Sequence, residues 1–504
     1  MNPHIPEKII KDTVHGYIHI DSEYCKKIID TPNFQRLKRL EQTNTRPLYP
    51  CAHHDRFVHS LGTFHLGKTA FRFLKENSEY ELKDKDLPWS KAKKSFEIAC
   101  LLHDVGHSPF SHTFEAFYEY EGLDDKLINE SLISTKDHEE EGNLFFDEYK
   151  EKHPKPSPHE KVSALLVLTE YINTLSNDFS VNPFLIARMI LGIVYKKRLT
   201  KEKKFYNCLI ELLNGTTIDV DKLDYLARDQ WATGHVSKQL DYERLLSSMY
   251  IKEYEGNFVT CFHKRAINEI LSLIEIKKLI KVSLHSHHIV KYDEYVLRNA
   301  VEEVLRLIEK RENKDSIIGE IFSLKTLDKF NPLTIGNYKF QLLTDDDLIH
   351  VIKANSDKSM FAKEWFSRDY QLKALWKTFA DYKYFFKEFD DDKRMIFFEN
   401  RKEIAKNYLS KIDPTEINKH RFHIEDELDA EYNPILTPDI KIFIKNEILE
   451  LKKLRDKFDN QQEVQKTYFL LYFPKELCVN EERDKFIKYA KQEVEQILAN
   501  KKQF

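Results

Sequence analysis

LLHDVGHSPFSH (residues 101–112) decides how this chain of 504 residues is read. It ends the apolar run FEIACLL (96–102), which predicts a helix from about Pro88 to Leu102 that stops near Gly106. A helix burying that face would finish on His103-Asp104, two polar side chains that need partners once taken from water. A metal ion is one such partner and a hydrogen-bond network is another. His107 lies four residues after His103, so helical continuation would put it on the same side. His112 follows, with Glu115 three residues further on. Three more clusters share this character: HHDRFVHS (53–60), PHEKVS (158–163) and TTIDVDKLDYLARDQ (216–230). In the last, Lys222, Tyr225 and Asp229 fall at i, i+3 and i+7 on one helix face, with Asp221 on its shoulder.

Working outward, KIIKDTVHGYIHI (8–20) reads as a short hairpin or extended entry. Thr31-Pro32 fits a helix start, and Pro47 and Pro50 break the chain. Helices are expected over 57–76, 159–176, 182–195 and 218–230, and KKRLTKEKK (196–204) as a solvated loop. Residues 120–158, charged and containing Pro154, Pro156 and Pro158, read as an insertion or lid. Two short strands are expected within 248–262, amphipathic helices over 263–312, and a helix with an Asp-rich start in LLTDDDLIHVIKA (342–354). FDDDKRMIFFE (389–399) and KTYFLLYFP (466–474) look like strands. The fold class is therefore mostly α: a helical core with a few short strands over 1–380, and a smaller mixed α/β region over 381–504.

Composition narrows the class of protein. With 12 Gly and 16 Pro the chain is poor in turn-formers. At 41% hydrophobic it can build a large core. The 79 basic and 83 acidic residues nearly cancel, which speaks against a nucleic-acid coat. Six scattered cysteines without a CxxC pair suggest free thiols in a reducing compartment. No apolar stretch is long enough to span a membrane. The expected location is cytoplasmic.

RFVHS, HDVGHSPFSH and IDVDKLDYLARD, in this order, resemble the HD-domain phosphohydrolase superfamily. The resemblance is closest to the deoxynucleoside triphosphate (dNTP) triphosphohydrolases, the group that takes in the dGTPases and the vertebrate SAM-and-HD-domain enzyme. DTVHGYI (12–18), DTPNFQRLKRLEQ (30–42), HEKVSALL (159–166) and LDYERL (240–245) fit the same group. The resemblance is strong over about 5–250, fainter over 265–380 and absent beyond. It implies that His59, His103, Asp104 and Asp221 hold a divalent transition metal. A mixed N/O donor set suits Mn, Fe, Co, Ni or Zn, with Mg accompanying the nucleotide. It implies that His107 and His112 contact phosphate, that Glu115 tunes His112, and that His159, paired with Glu160, protonates the leaving oxygen. Arg56, Lys222 and Tyr225 would hold the triphosphate. Asp229 would lie near the sugar, and Gln42 would read its 3′-hydroxyl, with Thr43 where a leucine is commoner. Asp30, Gln35 and Lys38 match one nucleotide-activator pocket, and Asp241 and Arg244 match positions around a second.

The reaction so implied is dNTP plus water to deoxynucleoside and inorganic triphosphate, in dNTP-pool control or antiviral defence. The implied partners are the dNTP, an activating nucleotide and further copies of the chain in a dimer, tetramer or hexamer. One departure stands out. The family's tyrosine that packs on the sugar aligns with Ser283 in VSLHSH (282–287), and Ser286 stands at a lysine position. His285, His287, His288 or Tyr292 could fill the gap. This motivates a second reading, an HD phosphohydrolase of an NTP, a nucleoside monophosphate, a cyclic nucleotide or an alarmone. A third is a non-catalytic nucleotide-sensing scaffold, against which the complete ligand set argues.

Overall fold

The computed structural model describes residues 6–82, 87–127, 139–215, 218–235, 240–308, 314–412, 422–429, 440–445, 447–451 and 467–501. The architecture is mostly helical with short strands. The chain opens with the hairpin β1 (Glu7–Asp12) and β2 (Gly16–Asp21), paired from Glu7↔Asp21 to Asp12↔Gly16. Gly16 takes φ 77° at the turn. The Asp12 carboxylate accepts from the amides of Val14 and His15, both at 2.8 Å, so the turn fixes where His15 stands.

The core of the larger unit is built by α1 (Arg56–Leu82), α2 (Trp89–Leu102), α3 (Glu139–Lys150), α4 (Pro158–Thr169), α5 (Pro183–Leu191), α6 (Lys201–Leu213) and α7 (Val220–Thr233). α2 buries Phe96, Ile98, Ala99, Cys100, Leu101 and Leu102 against α1 and α5. Two glycines permit close crossings. A Cβ on Gly62 would sit 1.8 Å from Asp224 Oδ1, and one on Gly106 would sit 2.3 Å from the Ser163 amide nitrogen. The first lets α1 meet α7. The second lets the loop after α2 lie on α4, where Gly106 N donates to Ser163 Oγ at 2.9 Å. α5 ends at Leu191 because Gly192 adopts φ 63°, a left-handed cap, so it stops short of the expected 195. α4 likewise ends at Thr169, and a separate π-helical turn follows at Thr174–Asp178.

Two sequence readings change here. The basic run 196–204 is a loop only to Thr200, whose side chain caps α6 through the Lys203 amide. The run 389–399 is helical, not a strand. From Asp391 it opens α11 (Asp391–Ile412), where Asp391 and Asp392 occupy the first turn and the buried Ile396, Phe397, Ile404, Ala405, Tyr408 and Leu409 recur at helical spacing. An eleven-residue window was too short to show that period. The described part of 120–158 is anchored rather than excursive: Phe145 and Tyr149 are buried, and Glu148 meets Arg188 at 2.6 Å inside the core. Its middle, 128–138, lies outside the described residues.

β3 (Met249–Tyr254) and β4 (Asn257–His263) form the expected hairpin. α8 (Ile267–Ile280), α9 (His288–Ile308), the small hairpin β5 (Leu333–Ile335) and β6 (Tyr338–Phe340), and α10 (Asp345–Ala354) follow. β7 (Leu372–Ala374), α11 (Asp391–Ile412), β8 (His423–Asp429), β9 (Lys441–Ile444), β10 (Glu447–Glu450), β11 (Thr467–Pro474) and α12 (Asn480–Lys501) complete the chain. β9 and β10 join the β3–β4 hairpin in a sheet ordered β10-β9-β4-β3, with β9 parallel to β4.

The chain divides into two units, and not by a single break at 380. The larger takes residues 1–277, 301–354 and 434–460, and the smaller 278–300, 355–433 and 461–504. A cut in sequence could not show this, because β9 returns to the first unit and the start of α9 belongs to the second. The smaller unit has its own aromatic core, with Trp376, Tyr382, Phe386, Phe397, Phe469 and Phe473 buried, and a sheet ordered β7-β11-β8. Among the described residues no helix is long and apolar enough to cross a membrane.

Candidate metal and phosphate site

α1, the C-terminal end of α2 and the first turn of α7 bring His59, His103, Asp104 and Asp221 together. His59 Nε2 lies 3.3 Å from His103 Nε2, 3.0 Å from Asp221 Oδ1 and 3.5 Å from Asp104 Oδ2. His103 Nε2 lies 3.5 Å from both Asp221 Oδ1 and Asp104 Oδ1. All but Asp221 are buried.

The other ring nitrogens are already committed. His59 Nδ1 meets Asp224 Oδ2 at 2.7 Å, and His103 Nδ1 meets the Cys100 carbonyl at 2.9 Å. With each Nδ1 donating, both Nε2 atoms carry lone pairs that face each other across 3.3 Å beside two carboxylates. That arrangement is repulsive unless a cation, a proton or a metal ion, lies between. Burial would strip the proton from His59, yet its bonds to Asp221 and Asp224 and the charge of Asp104 outweigh it and push the pKa up to about 10. The residues thus fit a divalent cation with two imidazole and two carboxylate donors.

Asp224 was missed in the sequence, although it stands four residues before Arg228. Its carboxylate takes His59, His15 Nε2 at 2.6 Å, and Arg228 at 2.9 and 3.0 Å. Such a partner fixes the tautomer and the direction of a ligating imidazole. Asp224→Asn should weaken metal binding by about 10–100-fold in a competition titration, with helicity unchanged.

A second group lies beside the first. The ring nitrogens of His107, His112 and His159 fall within 4.8 Å of one another. His107 stacks on His159 at 4.0 Å between ring centroids, and its Nε2 is 3.7 Å from Asp104 Oδ1. It is fully buried, neither ring nitrogen has a hydrogen-bond partner, and burial together with the Arg56 charge holds its pKa well below the usual value. Glu115 bridges the other two, to His112 Nδ1 at 2.5 Å and His159 Nδ1 at 2.6 Å. The carboxylate paired with His159 is therefore Glu115, and not Glu160. Glu160 instead closes the N-terminal cap of α4 with Ser157 and accepts from Asn214 Nδ2 at 2.7 Å. Burial works against a charged His159, but the bond and charge of Glu115 prevail and raise its pKa.

The expected triphosphate cations are engaged by the protein. Arg56 donates to Asp104 Oδ2 at 2.6 Å, Ser111 Oγ at 2.9 Å and the Gln42 carbonyl at 3.2 Å. Lys222 Nζ donates to the Gly215 carbonyl at 2.8 Å and to Asp219. Gln42 is held by its amide on the His54 carbonyl at 2.9 Å, and its buried Oε1 has no hydrogen-bond partner. Tyr225 is half-buried on α7, and Asp229 is buried with His54 Nε2 at 2.9 Å.

The residues expected to take an activator fall into two groups. Gln35 donates to the Ile29 carbonyl and accepts from Lys38, while Asp30 meets Lys8 at the surface. Asp241 caps a helical turn at Tyr242–Leu246 and lines a cavity of about 620 Å³ with His15, His65 and Arg72; Arg244 points toward Glu269 at 3.8 Å. Ser283 lies in a π-helical turn, Lys281–His285, with Ser286 and His287 just after it. Tyr292 is engaged in the core of the smaller unit, donating to Glu364 at 2.7 Å and stacking on Tyr472.

Residues 56–172 match the family described as HD domain. Among known proteins the chain is similar to the dNTP triphosphohydrolase SAMHD1 homolog of Dictyostelium discoideum, 28% identical over 59% of this chain and 49% of that protein. It is 26% identical to human SAMHD1 over 56% of this chain and 42% of that one. An uncharacterised protein of Methanocaldococcus jannaschii is 28% identical over 58% and 49%. The chain spans about half the length of the curated relatives it matches. A crystal structure of a hypothetical protein from Aquifex aeolicus shares the fold at TM-score 0.59 and 19% identity, covering 96% of this chain and 100% of that one.

Proposed function

We propose that the protein is a metal-dependent dNTP triphosphohydrolase that releases a deoxynucleoside and inorganic triphosphate. The observation that carries this reading is the junction of two clusters through Asp104: a tetrad of imidazoles and carboxylates, buried except for Asp221, and a trio of histidines around Glu115. A divalent ion in the tetrad would lower the pKa of a water toward neutrality and offset charge on phosphate oxygens. His107, neutral and buried, and His112 border the phosphate. His159, kept protonated by Glu115, hands its proton to the departing 5′-oxygen. Gln42 offers an unpaired amide oxygen to a sugar hydroxyl, and Tyr225, Lys222 and Asp229 flank the nucleotide along α7. Arg56 acts by holding Asp104 rather than by grasping phosphate. A nucleotide activator, a homo-oligomer and a cytoplasmic role in dNTP-pool control or antiviral defence belong to the same reading.

The test offers purified, metal-assayed protein each dNTP and NTP, singly and mixed, with Mn or Mg, and follows products by HPLC. Deoxynucleoside release is expected, and a response confined to mixtures would mean nucleotide activation. Intact dNTPs in every mixture, despite bound metal, would overturn the reading.

A further inference from the structure

The loop that carries His107 and His112 holds an uncommon backbone. Phe110 and Ser111, neither of them glycine, take φ 51° and 52° in succession. Each such residue is strained, and the strain persists only where the surroundings enforce it. The enforcing group comes from far along the chain. Asp345, at the start of α10, accepts from the Phe110 amide at 2.7 Å through Oδ1 and from the Glu41 amide at 2.8 Å through Oδ2. Glu41 directly precedes Gln42, and its carbonyl accepts from Ser111 Oγ, which Arg56 holds in turn at 2.9 Å. Arg36 supports the same loop from behind, with bonds to the carbonyls of Val105, His107 and Leu343.

The carboxylate does not serve its own helix. Asp347 does that, accepting from the Thr344 amide and hydroxyl, both at 2.7 Å. Asp345 is only 4% exposed, and burial raises its pKa to about 7 against the pull of two amide donors. Keeping a charge there is costly to folding, and a helix cap does not account for it.

We propose that Asp345 is a positioning residue that clamps the strained His107–His112 loop to the Glu41–Gln42 segment, and so fixes the phosphate-side histidines relative to the sugar-side glutamine. The kinetic part of this proposal rests on the dNTP triphosphohydrolase reading. The local clamp does not.

Asp345→Asn keeps the shape but leaves one acceptor oxygen and an amide group that cannot accept. Amide exchange at Phe110 and Glu41 should accelerate at least about tenfold at one or both sites. Bound metal should stay unchanged, and kcat should fall by about 10–100-fold, more than KM rises. Asp347→Ala is the control: it removes the helix cap, lowers the melting temperature and leaves kcat in place. If Asp345→Asn does not fold, Asp345→Glu keeps the charge on a longer arm and should show the same loss of kcat. A folded Asp345 variant with both amides protected and kcat within about twofold of the parent would overturn the proposal. If the parent hydrolyses no nucleotide, the dNTP triphosphohydrolase reading fails, and exchange at the two amides alone decides on the clamp.

Discussion

His103→Ala should lose the transition metal and at least about a hundredfold in dNTP hydrolysis, while keeping the melting temperature close to that of the parent. His103 is the residue at which ligand loss and fold are best separated. It sits past the last turn of α2, and among the described residues it is tied, besides the tetrad, to the Cys100 carbonyl, an acceptor that water can serve. Its removal leaves one imidazole, His59, and two carboxylates, short of a full donor set, and the charge stabilisation lost amounts to several kcal/mol, each 1.36 of which is about tenfold in rate. Asp104→Ala should be different. Asp104 meets the Arg56 guanidinium at 2.6 Å with both side chains buried. Removing one partner strands a buried charge, at about 3–5 kcal/mol. Metal analysis with a thermal melt distinguishes the two variants. His103→Ala protein that retains metal and turnover would displace the tetrad as the site.

The second large effect concerns proton transfer. Glu115→Gln should lower kcat by about a hundredfold and move the alkaline limb of the pH–rate profile to lower pH. In the parent, burial favours the neutral His159 ring, but the bond and charge of Glu115 prevail and raise its pKa above the ordinary value. Turnover that needs that proton persists while the ring is charged and declines as pH rises through the raised pKa. Without the carboxylate charge, burial remains and favours the neutral ring, so the decline begins earlier. Glu160→Gln should leave the limb where it is, because Glu160 faces Ser157 and Asn214. A pH profile moved by the Glu160 variant and untouched by the Glu115 variant would reverse the assignment.

The pairing of His159 shows where sequence stopped being legible. Adjacent residues such as His159-Glu160 invite pairing on paper, but at the first turn of a helix Glu160 folds back on its own cap. The true partner lies 44 residues away. The His103-Asp104 pair was legible because His-Asp closing an apolar helix is a local pattern, whereas the grouping of His59 and Asp221 with it was expected only from the family resemblance. His15, Arg36 and Asp345 were not, because their contacts to the site span 209, 71 and 235 residues, and nothing near them in sequence hints at a partner. The helical period of α11 needed 14 residues, from Ile396 to Leu409, to be visible, so its first apolar run passed for a strand. The two-unit division depends on β9 crossing back to β4, which no composition shift announces.

The central claim is water attack on the α-phosphorus of a dNTP. Its most direct test is ³¹P NMR of one dNTP turned over in ¹⁸O-labelled water. The account predicts inorganic triphosphate carrying a single ¹⁸O on a terminal phosphorus, with unlabelled deoxynucleoside. Orthophosphate or pyrophosphate, with a deoxynucleoside di- or monophosphate as the companion product, would contradict it.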